Sequence, residues 1–308
     1  MFWIELVILL LLIFWGVRKG GIFLTLAGAV GAFVFTFIFK APMSDPPLTV
    51  LRIILAVVIA GGAMQAAGGI EYLVAIAEKI LRKHPKSITS WLFVFCCGTG
   101  HILLSLLPII NEIAIENGVR PERPIAASVV SSQNAVCGTP LAAATAALVG
   151  FLEESGSVDM ITILMVVIPA TLLGSLASGL VMLKKGRELA DDPEFQRRIA
   201  SGELVLREHK EEKEVDMSGF SRQSKLSVVA FLAAMVIIVL LGVVKSLRPV
   251  LSDGSTLGMT DIIQIFMFCA AAVICLVMDK KPDVVLETPV FKSGVFAAVI
   301  CLGLCWMV

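Results

Sequence analysis

Apolar runs long enough to form membrane-crossing helices recur along the chain, at residues 2–17, 20–39, 48–69, 160–183, 226–244, 259–278 and 289–308. The first is short, with Glu5 near one end and Arg18-Lys19 at the other. A turn with three prolines occupies residues 40–47. The third run closes on a small-residue stretch, 61–69, suited to close helix packing, with Gln65 as its polar member. Residues 70–83 have a helical period instead. Ile70, Leu73, Val74, Ala77, Ile80 and Leu81 make one stripe, and Glu71, Glu78, Lys79, Arg82 and Lys83 fall largely off it. A segment so charged does not span, and its expected place is the membrane interface. A kink is expected near Pro169 in the run 160–183.

Two polar, glycine-bearing breaks interrupt this pattern. Cys96-Cys97-Gly98-Thr99-Gly100-His101 lies between apolar half-segments 88–95 and 102–110, each about 12–14 Å long if helical. Ser131-Ser132-Gln133-Asn134-Ala135-Val136-Cys137-Gly138-Thr139-Pro140 splits residues 125–150, with a helix end expected near Ser132 or Gln133. A restart follows, with Thr139 as its cap and Pro140 at its first position. Irregular backbone at membrane depth survives only where protein or a water-filled cavity satisfies it. The two breaks therefore predict one polar site inside the membrane.

Composition agrees. The chain is 57% hydrophobic and 16% charged, against about 25% charged in a soluble domain, so the fold class is all-α and polytopic in a membrane. The net charge is zero, which gives no case for nucleic acid. Three histidines, one tyrosine and no Cys-x-x-Cys pair argue against a metal or redox enzyme, and no cofactor is expected. The seven cysteines read as small buried hydrophobes. The first apolar run has no preceding basic residue and reads as a retained span.

Basic residues favour one topology. If residues 88–110 enter and leave on one side, 20 of the 25 Lys and Arg lie on the side of Arg18-Lys19. A single crossing leaves eight there. Making 125–150 the re-entrant piece instead divides them 18 to six, only slightly worse. The expected arrangement is N-terminus outside, a re-entrant hairpin at about 88–117, a broken helix at about 125–150, and a cytoplasmic loop at 184–225 in which Asp192-Pro193-Glu194 starts a helix and Gly202 stops it. The apolar run still open at Val308 suggests that more chain follows.

Cys97 and His101 are spaced as a nucleophile–base pair, but no orienting carboxylate accompanies them, and Cys96, Cys97 and His101 lack a fourth metal ligand. A binding site fits better. Half-helix N-termini suit an anionic carboxylate, and carbonyls at half-helix C-termini suit a cation. Thr99, Ser131, Ser132, Asn134 and Thr139 supply neutral hydrogen bonds to either. His101 reads equally as a proton-titrating group and as a neutral imidazole bonded to a carbonyl.

The residues also carry a resemblance. Arg18-Lys19-Gly20-Gly21, Ala75-Ile76-Ala77-Glu78-Lys79, Cys97-Gly98-Thr99-Gly100-His101, Leu107-Pro108-Ile109-Ile110, Arg120-Pro121-Glu122-Arg123-Pro124 with Ala126-Ala127-Ser128, Glu194-Phe195-Gln196 and Thr288-Pro289-Val290-Phe291-Lys292-Ser293-Gly294 resemble the anaerobic C4-dicarboxylate transporter family. The resemblance implies exchange or uptake of fumarate, succinate, malate or aspartate across a bacterial inner membrane, in support of fumarate respiration. It implies an inverted-repeat fold like that of the ion transporter superfamily, with an elevator-like motion. Residues 1–183 form the first repeat and 226–308 begin a second, whose own hairpin and broken helix lie beyond this chain. Gly98-Thr99-Gly100 match the first hairpin tip and Asn134 to Pro140 the helix break. The substrate-binding set is then Gly98, Thr99, Gly100, His101, Ser131, Ser132, Asn134, Gly138, Thr139 and Pro140. Expected partners are the bilayer, a small dicarboxylate, Na⁺ or H⁺, a second copy in a homo-oligomer, and a sensor kinase. The rival readings are a non-transporting partner of such a kinase, a membrane hydrolase at Cys97 and His101, a Na⁺/H⁺ antiporter, which should carry more buried carboxylates, and a carrier of another organic anion.

Overall fold

A computed structural model describes residues 2–42, 48–83, 101–139, 160–183, 189–201 and 217–305, together with Thr145, Leu148, Leu152, Lys185 and Gly186. The elements are helices: α1 Phe2–Lys19, α2 Phe23–Phe33 continued by a π-helical stretch Val34–Ile38, α3 Leu48–Ala66, α4 Gly69–Lys83, α5 His101–Glu116, α6 Glu122–Cys137, α7 Met160–Met182, α8 Pro193–Ala200, α9 Arg222–Val243, α10 Met259–Val277 and α11 Pro289–Cys305. Among the described residues an isolated bridge, Val250 with Thr256, is the sole β-type pairing. Among the described residues four helices, α3, α7, α9 and α10, are long and apolar enough to cross a membrane by length and composition. Exposed leucines, valines and isoleucines along α1, α7, α9 and α10 make the outer surface apolar, as a lipid-facing surface must be.

The helices pack in two groups. In the larger, α1 packs on α2, α2 on α11, α11 on α3, α3 on α10 and α10 on α9. In the smaller, α5 packs on α6 and α6 on α7. The principal bridges between them are α4, which touches α3, α9 and α5, and a lighter contact of α7 with α9. Small residues set the closest approaches. A Cβ placed on Gly28 of α2 would strike the carbonyl of Gly303 in α11, so these two backbones lie in direct contact.

One pole of the larger group is tied by hydrogen bonds. Gln65 Oε1 accepts the N–H of Val290, one of the unpaired first-turn donors of α11. At the carbonyl end of α3, Ser224 Oγ donates to Ala67 O and Lys280 Nζ to Ala66 O. Gln65 is thus a helix-capping residue.

Two expectations are corrected. The apolar stripe of α4 is not left for lipid. Ile70, Ala77 and Leu81 are buried in the main core, because α9 and α5 cover it. The second half-segment, expected to end at Ile110, continues as α5 to Glu116, and Ile113 and Ala114 are buried in that extension. Its charged end is stabilised by Arg82 of α4, which meets Glu78 at 2.9 Å, Glu112 at 3.1 Å and Glu116 at 3.5 Å. Burial works against the Arg82 charge, but the hydrogen bonds and negative charges of Glu78 and Glu112 outweigh it and raise its pKa above the ordinary value.

Candidate functional site

The described part of the site is the last two turns of α6 and the break that ends it. The helix starts in an Arg-Pro-Glu-Arg-Pro run whose fixed proline φ suits a first turn and whose Glu122 complements the positive end of the helix dipole. The two arginines of that run reach out of the helix. Arg123 donates to the carbonyls of Lys185 (2.6 Å) and Gly186 (3.0 Å), just past the end of α7. Arg120 pairs with Asp192 at 2.9 Å. Asp192 is the N-cap of α8, and accepting the N–H groups of Phe195 and Glu194 beside Arg120 holds its carboxyl below the usual range. The foot of α6 is thereby fixed to the end of α7 and the start of α8.

Further along, the polar run does not break the helix where the sequence suggested. Ser128 and Ser132 turn their hydroxyls back on the helix, to Pro124 O and Val129 O, so neither competes for a free backbone N–H. The helix therefore runs through Gln133 and Asn134 to Cys137 and is capped by Gly138, whose N–H bonds to Asn134 O. Thr145, itself helical, crosses the gap and donates to Cys137 O at 2.7 Å. One end-carbonyl of α6 is thus satisfied by a side chain from later in the chain.

Three expected site residues lie on the inner face of these turns. Ser131 and Ser132 are fully buried. The Ser131 hydroxyl has no hydrogen-bond partner among the described residues, a costly state for a buried hydroxyl. Asn134 is half-buried, and its Nδ2 donates to Ser175 Oγ of α7 at 3.2 Å. Gly138 and Thr139 are buried beside the break, with Thr139 engaged in further interaction. His101 opens α5. Gly98, Thr99, Gly100 and Pro140, with Cys96 and Cys97, lie outside the described residues.

Two residues escaped the sequence reading. Ser175 (1% exposed) and Thr145 (4% exposed) are hydroxyls in long apolar runs, and that isolation was the only signal they gave. Chemically, the site combines neutral donors and acceptors with the carbonyl end of a broken helix. No set of three His, Cys, Asp or Glu side chains among the described residues is placed to hold a metal ion.

Compared with known proteins, all of residues 1–308 match the family described as anaerobic C4-dicarboxylate membrane transporter. Anaerobic C4-dicarboxylate transporter DcuB of Escherichia coli O157:H7 is 36% identical over 317 residues, covering 100% of this chain and 71% of the relative. C4-dicarboxylate transporter DcuA of Helicobacter pylori (strain J99) is 35% identical over 309 residues, 98% of this chain and 68% of the relative. DcuA of Escherichia coli (strain K12) is 36% identical over 311 residues, 99% and 70% respectively. No solved structure matches.

Proposed function

Because the chain belongs to the anaerobic C4-dicarboxylate membrane transporter family, we propose that it is a secondary carrier of fumarate, succinate, malate or aspartate. It works in the bacterial inner membrane, by dicarboxylate exchange or by uptake with Na⁺ or H⁺, in support of fumarate respiration. The observation that carries the site is the end of α6. There one buried hydroxyl, Ser131, has no partner among the described residues, and Ser175 of the neighbouring helix holds the Asn134 amide in place. A substrate dicarboxylate is bound between this break and the tip formed by Gly98, Thr99 and Gly100, with Ser131, Asn134 and Thr139 hydrogen-bonding it and His101 close by.

The same reading takes residues 88–117 as a re-entrant hairpin. Arg82, just before that segment, pairs with Glu112 and Glu116 at its far end, which supports departure from and return to one side of the membrane. Residues 1–183 are the first repeat of an inverted-repeat fold, 184–225 a cytoplasmic loop and 226–308 the start of the second repeat, with the N-terminus periplasmic. The two packing groups support a reading of alternating access. The unit of α5, α6 and α7, fastened internally by Arg123 and by Asn134, slides as a body against the larger group, while α4 spans the seam.

The test is uptake of radiolabelled succinate or fumarate by anaerobic cells lacking their own carriers. The 308-residue chain, a version extended by the downstream reading frame and the Asn134→Ala form of whichever transports are compared at equal membrane levels. Uptake that Asn134→Ala reduces at least tenfold supports the reading. Proper insertion with no uptake in either length rejects it.

A further inference from the structure

The hydrogen bonds along α7 decide which edge of the Asn134 amide faces which way. A serine hydroxyl carries one proton, and that of Ser175 is committed to the Thr171 carbonyl at 2.8 Å. Toward Asn134 the same oxygen can only accept, so the amide meets it with Nδ2, at 3.2 Å. Packing agrees. A Cβ on Gly174 would touch Nδ2 at 3.1 Å and Cγ at 3.9 Å, with Oδ1 beyond the 4 Å contact range. The flipped amide would set its oxygen against a hydroxyl oxygen with no proton left to give, so one orientation is selected. The oxygen edge of Asn134 is therefore turned away from α7. On the same helix face, three residues earlier, lies the unpartnered Ser131 hydroxyl.

A dicarboxylate dianion has only acceptors on its two carboxylates. Those carboxylates can accept the second Nδ2 proton of Asn134, since only one is given to Ser175, but they gain nothing from the amide oxygen. A hydroxyl or ammonium group at C2 does, because it can donate. We propose that Ser175, seated beside Gly174, is a positioning residue that presents Asn134 Oδ1 to the substrate as a hydrogen-bond acceptor, so that the site prefers a C4-dicarboxylate with a donor at C2 over one without. This rests on the break of α6 being the substrate site.

The test is equilibrium binding of L-malate and of succinate to the purified full chain in lipid nanodiscs. Both ligands are dianions, so charge cancels from the comparison. The parent protein binds malate about tenfold more tightly than succinate, the effect of one buried hydrogen bond. Ser175→Ala, which frees the amide to flip, and Gly174→Ala, which pushes Nδ2 off its seat, each bring that ratio to about one. Ser175→Thr keeps an accepting hydroxyl and keeps the ratio, and thermal unfolding confirms that each variant is folded. A parent ratio of one or less overturns the proposal. So does a ratio that survives both alanine variants, or one that a folded Ser175→Thr protein has lost. Affinities for both ligands that fall in parallel would make Ser175 a packing residue only. A parent chain that binds neither dicarboxylate rejects the substrate site itself, a result distinct from all of these.

Discussion

Replacing Arg82 with glutamine removes the positive charge that meets Glu78, Glu112 and Glu116 while keeping most of the side-chain volume. The cost follows from geometry and exposure. The Arg82 side chain is 17% exposed and its three partners 23%, 34% and 31%, so the cluster is neither fully buried nor fully solvated. Fully exposed ion pairs contribute about 0.2–1 kcal/mol, and removing one partner of a buried pair costs about 3–5 kcal/mol. With about a quarter to a third of each acidic side chain in water, Arg82→Gln should destabilise the protein by about 1–3 kcal/mol. The measurement is reversible unfolding in mixed micelles, followed by far-ultraviolet circular dichroism. A double-mutant cycle isolates the pairs: Arg82 with Glu112 and Arg82 with Glu116 should each show a coupling of about 1 kcal/mol. If Arg82→Gln costs the same with and without Glu112 and Glu116, the cluster does not join α4 to α5 and its place at the seam between the helix groups is wrong.

Two further outcomes are expected. Asp192 has a carboxyl pKa lowered by the Phe195 and Glu194 N–H groups and by Arg120, so its contribution to docking α8 is complete above the unfolded carboxylate value of about 3.9 and disappears as pH falls through the lower folded value. Protection factors of the amides across 194–200 should therefore be highest above that value, and Asp192→Asn should lower them at pH 7 as acid lowers them in the parent once intrinsic exchange rates are corrected for. Gly28→Ala should lower the thermal midpoint of the detergent-solubilised protein through loss of about 2–3 kcal/mol of α2–α11 packing, whereas Gly258→Ala, whose Cβ meets nothing nearer than Asp261 Oδ2 at 3.7 Å, should leave it unchanged.

The spans were legible because a bilayer demands long apolar runs, and the one expected at 259–278 was found as Met259–Val277. Lengths failed where a distant partner changed the local balance. The half-segment 102–110 was read too short because Glu112 and Glu116, which lie beyond it, meet Arg82, 30 and 34 residues earlier in the chain. The break in α6 was foreseen several residues too early, because Ser132 read as a helix-breaking hydroxyl until its bond to a carbonyl of its own helix is seen. Asn134 was legible as a polar residue at membrane depth. Its orientation was not, since Ser175 is 41 residues away and looked like one more small residue in an apolar helix.

The tie at the end of α3 also has a time axis. Its partners arrive late: Ser224 stands 157 residues after Ala67, Lys280 follows Ala66 by 214, and Val290 follows Gln65 by 225. At a synthesis rate of roughly 5–20 residues per second, the end of α3 waits on the order of 10–45 s at the ribosome before Val290 exists to engage Gln65. During that interval the amide of Gln65 and the last carbonyls of α3 must be satisfied by water, lipid headgroups or the insertion machinery. The larger helix group therefore closes only when α11 is inserted, and a ribosome stalled before Val290 would leave the earlier spans in the membrane with this seam still open.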